Sequence, residues 1–291
     1  MSDQAPAAVS TDWLAARLGE PGMKIIASES ETVAATASSK AAGKRDVRAE
    51  FDAAHIPGAA LFNLDRISDP ETALLMMLPS QEQFSEQVGA LGIGNDDLVV
   101  IYDSQGVRTS PRAWWMFRVF SHDNVVVLDG GLPKWKREDR PISTVPIAPQ
   151  TRGFSADLRD ELVLDIRQMM QLQADRTIQV VDGRPRARYK GTAPEPRGNI
   201  PSGHMPGSKS VPSDLVVNSQ SGELFSLDTI RTNFEAAGVN IHDPIATTCG
   251  WGVAACQLAL GLYLLGNTNV AIYDGSWLEW ASRYDAAIEK E

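Results

Sequence analysis

The fold class the sequence predicts is α/β: two tandem copies of one unit, each a mostly parallel sheet covered by helices on both faces. Three observations predict it. Short apolar, β-branched runs alternate with helical patterns, as strands joined by crossover helices do. The 291 residues, 43% of them hydrophobic, suit two domains of roughly 100–150 residues each. The second half also repeats the first. His55-Ile-Pro-Gly58 returns as His204-Met-Pro-Gly207, and Asp103-Ser-Gln-Gly-Val107 as Cys249-Gly-Trp-Gly-Val253. Leu128-Asp-Gly-Gly131 with Trp135 returns as Tyr273-Asp-Gly-Ser276 with Trp280. The separations agree: 48 residues from His55 to Asp103 against 45 from His204 to Cys249, and 26 from Asp103 to Asp129 against 25 from Cys249 to Asp274.

In chain order, residues 13–18 read as a short helix, 24–27 as a strand and 28–45 as a small-residue polar loop. Residues 47–54 read as a helix leading into the first His-Ile-Pro-Gly, and 60–64 as a strand. Residues 66–79 are irregular. Ser80 opens a helix to residue 91 with a capping-box pattern, Ser80-Gln-Glu-Gln83. A strand over 98–102, a helix over 111–120, a strand over 125–128 and a helical turn through Trp135 complete the first copy. Residues 138–157, richer in Pro, Thr and Ser, make the best linker. The expected division is a first domain over 1–140, a linker over 141–157 and a second domain over 158–291.

The chemistry concentrates at residues 245–265. A β-branched strand end, 245–248, meets Cys249, then Gly250-Trp251-Gly252, then a run from Val253 that is apolar almost all round, as in a buried helix. Glycines let the turn aim several N–H groups at one point, and the helix N-terminus adds partial positive charge there. Such a cradle stabilises a thiolate, the nucleophilic form of cysteine. A buried structural cysteine is the commoner state of a lone thiol, but such cysteines usually lie within helices or strands rather than at the first residue of a glycine turn. Cys256, two turns into the helix, fits that structural description. In the first copy the corresponding residue is Asp103, which cannot act as a sulfur nucleophile, so only the second copy can do thiol chemistry.

Composition narrows the partners. A net charge of −10 argues against nucleic acid or an anionic membrane. No apolar run reaches the roughly 20 residues of a membrane span. The opening residues show neither a basic nor an apolar signal region. Two cysteines give no disulfide framework, and together these features predict a cytoplasmic protein. Four histidines and two cysteines lack metal-ligand spacing, so neither a metal nor another cofactor is expected. Gly250-Trp-Gly-Val-Ala-Ala255 matches a dinucleotide pattern, but fewer than 50 residues follow it, too few for that domain. A cysteine phosphatase would need arginine where Ala255 stands. His55 and His204, each before a Pro-Gly turn, read as residues that satisfy backbone groups.

Taken together, His-x-Pro-Gly, the Cys-Gly-x-Gly-Val-x-Ala loop and Tyr-Asp-Gly-Ser-Trp resemble the tandem-domain rhodaneses, over nearly the whole chain. Arg188-Tyr-Lys-Gly-Thr-Ala-Pro-Glu-Pro-Arg197 makes the 3-mercaptopyruvate sulfurtransferases the most similar branch, with thiosulfate sulfurtransferases second. The resemblance implies two rhodanese-like domains, the first inactive, and a catalytic cysteine that cycles through a persulfide. It implies a small sulfur donor, and cyanide, a thiol or a reduced protein dithiol such as thioredoxin as acceptor. It places the catalytic loop at Cys249, Gly250, Trp251, Gly252, Val253 and Ala254, and the donor-carboxylate arginines at Arg188 and Arg197. Arginine suits that task because its planar fork bonds a carboxylate twice. Arg184 and Arg186 have no such motif behind them and read as surface residues.

The chain also departs from the pattern. Trp251 replaces the loop serine that the family uses in a proton relay. Asp65 fits the relay aspartate, but Met76 stands at the histidine. The Arg and Lys that thiosulfate-type loops use for a dianion are absent. A degenerate rhodanese, acting as a sulfur carrier or protein-binding module, is therefore the alternative to an enzyme.

Overall fold

The computed structural model describes residues 7–32, 44–196 and 200–291. Contacts divide the chain into two units. The first comprises Met1–Glu71, Leu78–Arg159 and Ser219–Leu224; the second comprises Thr72–Met77, Asp160–Asn218 and Phe225–Glu291.

The first unit holds β1 (Ala8–Val9), α1 (Thr11–Ala15), β2 (Met23–Glu29), α2 (Val47–Ala53), β3 (Ala59–Asn63), α3 (Gln81–Ala90), β4 (Leu98–Tyr102), α4 (Ser110–Val119), β5 (Val125–Leu128) and α5 (Gly131–Arg137). Its five strands are all parallel, in the order β1-β5-β4-β2-β3. One face packs Leu14, Phe51, Leu132 and Trp135 from the helices against Val100, Tyr102 and Leu128. On α4, Phe117 meets Phe62 of β3 and Phe84 of α3. Each fully buried apolar side chain of this kind contributes about 1.5–3 kcal/mol.

The second unit holds β6 (Val163–Leu164), α6 (Ile166–Asp175), β7 (Gln179–Asp182), α7 (Arg186–Tyr189), β8 (Lys209–Ser210), α8 (Leu227–Ala236), β9 (Ile245–Thr248), α9 (Val253–Leu264), β10 (Ala271–Tyr273) and α10 (Ser276–Trp280). Its order, β6-β10-β9-β7-β8, is the first unit's order shifted by five. The repeat seen in the sequence is thus a repeat of topology.

The α3 capping box forms as expected, with Gln83 N–H donating to Ser80 Oγ at 3.2 Å. Residues 28–29 are not loop but the end of β2, paired with Phe62 and Asn63 of β3. Their polarity hid this. Ser28 Oγ donates to Thr109 O at 3.1 Å, and Glu29 accepts from Ser104 N–H at 2.7 Å, so both are buried with their hydrogen bonds made. The expected loop over 28–45 otherwise falls partly outside the described residues. The two-residue strands β1 and β6 are too short to show a period in sequence. Residues 141–159 pack with the first unit rather than standing apart: Ser143 exchanges backbone hydrogen bonds with His55 at 3.0 and 2.8 Å.

Both motif histidines hold backbone. His55 Nδ1 meets Phe51 O at 2.8 Å and its ring stacks on Phe51, centroids 4.2 Å apart. His204 Nδ1 meets Tyr189 O at 2.9 Å and stacks on Tyr189 at 4.0 Å. This equivalence aligns α2 with α7, so that Glu50 of the first copy corresponds to Arg188 of the second.

Candidate active site

Strand β9 delivers Cys249 to the C-terminal edge of the second sheet, and α9 starts four residues later. Thr247 Oγ1 donates to Ala255 O at 3.1 Å, tying the strand end to the first turn of α9. Gly252 takes φ +84°, a left-handed conformation that other residues adopt at a cost. Gly250 has open space where a Cβ would stand, so one of the two loop glycines, Gly252, makes the turn.

The turn wraps the thiol. Cys249 is 3% exposed, and its Sγ accepts the backbone N–H groups of Ala255, Trp251 and Gly252. Around it Gly250, Trp251, Val253 and Ala254 are half-buried and form the rim. Burial pushes the Cys249 thiol above its ordinary value; the three amides pull it down, and the nearby Asp182 carboxylate adds to the rise. The backbone is fixed as well. Cys249 N–H donates to Ser276 Oγ at 3.2 Å, and Cys249 O accepts from Trp277 N–H at 2.9 Å. Ser276 sits at φ +51° and hands its own proton to Tyr273 O at 2.9 Å. A serine in that region is strained by about 1 kcal/mol or more, which the surrounding bonds must hold in place. Its counterpart Gly131 has φ +50°.

Cys256 is fully buried, and its Sγ donates to Gly252 O at 3.0 Å, a structural position. Neither cysteine forms a disulfide. Among the described residues, no cluster of three or more His, Cys, Asp or Glu could hold a metal ion.

Arg184 is not a surface residue. It is 2% exposed, bonds Asp182 through Nε and Nη2 (Nη2 at 2.6 Å), reaches Glu195 at 2.8 Å and lies over the Trp277 ring at 4.1 Å. In sequence it looked exposed because nothing local signals two buried carboxylates, one of them eleven residues away. Arg186 is exposed. Arg188, half-buried on α7, acts electrostatically on Glu195, whose carboxyl burial raises and Arg184 and then Arg188 lower. Arg197 lies outside the described residues. Asp65 belongs to the first unit, where its carboxylate accepts from Ser30 Oγ, Glu31 N–H and Thr32 Oγ1 at 2.9, 2.7 and 2.9 Å. Met76 belongs to the second unit with Cys249, buried and at φ +60°.

Fold and site together define a duplicated α/β protein whose second copy holds a cysteine in a backbone anion cradle. The rhodanese-like domain model matches residues 34–138 and 165–283, and the chain belongs to the rhodanese family. It is 43% identical to thiosulfate/3-mercaptopyruvate sulfurtransferase 2 of Arabidopsis thaliana, over 94% of this chain and 84% of that protein. It is 40% identical to the mitochondrial thiosulfate/3-mercaptopyruvate sulfurtransferase 1 of the same plant, over 97% and 77%. The crystal structure of SseA from Escherichia coli, a 3-mercaptopyruvate sulfotransferase, superposes with a TM-score of 0.81 at 33% identity, covering 94% of this chain and 99% of that one. The protein is an enzyme, a sulfurtransferase.

Proposed function

We propose that this sulfurtransferase takes sulfur from a small anionic donor, 3-mercaptopyruvate or thiosulfate, onto Cys249 as a persulfide and passes it to a nucleophilic acceptor. The observation that carries this reading is the Cys249 Sγ enclosed by the N–H groups of Trp251, Gly252 and Ala255 at the start of α9. In the first half-reaction the Cys249 thiolate attacks the donor sulfur. An S–S bond forms and the donor's C–S bond breaks, so that pyruvate leaves as its enolate and takes up a proton; with thiosulfate, sulfite leaves. The persulfide anion then lies where the amides already point. In the second half-reaction cyanide, a thiol or a reduced protein dithiol such as thioredoxin attacks the outer sulfur and restores the thiolate.

Arg188, with Arg197 from the matching segment, would grip the donor carboxylate by paired charge-assisted hydrogen bonds. Asp65 and Met76 occupy two of the family's relay positions. Asp65 is committed to the 30–32 turn and Met76 carries no titratable proton, so proton delivery is left to solvent or acceptor. No described helix is long and apolar enough to cross a membrane. Two cysteines outside any disulfide suit a reducing compartment such as the cytoplasm. The test is mass spectrometry of the intact chain and of its digested peptides after exposure to each donor at equal concentration, followed by acceptor. A gain of one sulfur on the Cys249 peptide, lost on adding acceptor, is expected. A chain that turns over donor with no sulfur on that peptide would rule the reading out.

A further inference from the structure

Between the stacked ring and the motif histidine, the second copy is longer than the first. Two residues, 52–53, separate Phe51 from Ala54; thirteen, 190–202, separate Tyr189 from Gly203. The insertion carries the Pro-Glu-Pro-Arg segment. Its base closes at Gly203. In the first copy Ala54 N–H donates to Glu50 O at 3.3 Å, with Ala54 at φ −167°. In the second copy Gly203 N–H donates to Arg188 O at 3.1 Å, but at φ +133°, a region open in practice to glycine. Gly203 O accepts from Arg184 Nη2 at 2.6 Å, so one glycine joins the buried Arg184 network to the backbone of Arg188.

A separate stretch covers that junction. Glu289 and His204 exchange backbone hydrogen bonds, both at 2.9 Å, and Glu291 N–H donates to Lys190 O at 3.1 Å. Lys190 Nζ pairs with Glu291 at 2.7 Å. A Cβ on Gly203 would stand 2.5 Å from Glu289 O and 2.7 Å from Ile288 Cγ2. Ile288 and Ala286 pack on the core of the second unit, and Trp280 Nε1 donates to Ala287 O at 2.9 Å. Residues 286–291 are therefore anchored to the core at one end and laid over both ends of the insertion at the other.

We infer that Gly203 and the overlying residues 288–291 are positioning elements for Arg188, fixing the base of the inserted arm so that the guanidinium meets the donor carboxylate. This rests on the reading of Arg188 given above. They touch no reacting atom, so their loss weakens donor capture and spares the sulfur chemistry at Cys249.

The test uses the full chain with Gly203→Ala, Glu289→Pro (which removes the N–H given to His204 O), Arg188→Ala and the pair Gly203→Ala/Arg188→Ala. Steady-state kinetics are measured with 3-mercaptopyruvate and with thiosulfate, which has no carboxylate, and thermal melts verify folding. Expected is a rise of about tenfold in KM for 3-mercaptopyruvate in Gly203→Ala and Glu289→Pro, with kcat within about twofold and a smaller change for thiosulfate. The double variant should be no worse than Arg188→Ala, because both changes act through one group. Unchanged KM in the folded single variants, a fall in kcat alone, or additive losses would overturn the inference. If Gly203→Ala does not fold, Glu289→Pro decides. If Arg188→Ala itself leaves KM unchanged, the reading of Arg188 has failed and the inference with it; an effect of Arg188→Ala without one at Gly203 or Glu289 refutes the inference alone.

Discussion

Asp103 is held as Cys249 is held, by backbone N–H groups at the start of a helix. Asp103 Oδ2 accepts from the N–H groups of Arg108, Thr109 and Ser110 at 2.8, 2.9 and 2.9 Å and from Ser110 Oγ at 2.8 Å, and Oδ1 accepts from Gln105 N–H at 2.9 Å. The Asp103 side chain thus occupies the place that Cys249 takes in the second copy. The loop is an anion cradle in both, filled by its own side chain in one.

From this follows a stability prediction. Asp103→Asn keeps the shape but sets an NH2 group against donors and removes the charge. Hydrogen bonds to charged groups contribute about 1.5–3 kcal/mol each, so the variant should lose about 3 kcal/mol or more in chemical denaturation. A change within about 0.5 kcal/mol would mean that the amides do not need an anion.

The two cysteines should separate cleanly. Cys249→Ser abolishes sulfur transfer, whereas Cys256→Ser, whose hydroxyl can still donate to Gly252 O, keeps most of it. Burial pushes the Cys249 thiol above its ordinary value and so disfavours the thiolate, against the pull of the three amides. The rate of persulfide formation should therefore climb with pH and show no plateau below about pH 9. A plateau near pH 7 in a stopped-flow pH series would show that the amide cradle outweighs burial.

Ser276→Gly tests strain against function. Glycine accepts φ +51° freely, which offsets part of the cost of leaving the buried Cys249 N–H unpaired, so the melting temperature should fall only modestly. The Cys249 N–H loses its acceptor, so kcat should fall, by roughly five- to tenfold for a displaced nucleophile, with KM little changed. Equal activity in the folded variant would reduce Ser276 to a turn residue.

How much of this was legible in the sequence follows the range of the interactions. The Cys249 turn and the α3 cap rest on residues within a few positions of one another, and the duplication shows in short motifs that recur at matching separations, so pattern revealed all three. Arg184 was not legible, because its burial depends on Glu195, Gly203 and Trp277 arriving from distant parts of the chain. Nor was β2 read to its end, since Ser28 and Glu29 look like loop until Thr109 and Ser104 satisfy them. Ser276 was visible as a motif letter, but its left-handed backbone and its bond to Cys249 are tertiary facts.

Breaking the Arg184 network should be costly. Arg184→Met leaves Asp182 and Glu195 buried without their cation, a loss of about 3–5 kcal/mol. Glu195→Gln, which keeps an acceptor for the single bond from Arg184, should cost about 1 kcal/mol. Urea melts on the two variants would check the order; a larger loss for Glu195→Gln would show that the Asp182 pair carries little of the stability.

Trp251 offers the sharpest test of how this chain departs from its family. Its half-buried indole rises from the loop whose N–H groups hold Cys249, and it supplies one N–H donor and no acceptor. It cannot pass a proton as a hydroxyl can. We expect Trp251→Ser to raise turnover of 3-mercaptopyruvate, since it opens the rim and restores a hydroxyl beside the thiol. On the proposed reading, in which Met76 takes the place of the relay's histidine, the gain should be partial. Met76 is buried at φ +60°, a region that histidine enters more readily than methionine, so the backbone there accepts Met76→His, and thermal melts verify the fold. If serine and histidine act as one relay, the double variant should exceed the sum of the single gains in free energy. Steady-state kinetics on the three variants with 3-mercaptopyruvate decide it. A drop in turnover for folded Trp251→Ser would instead make the indole a working wall of the donor site.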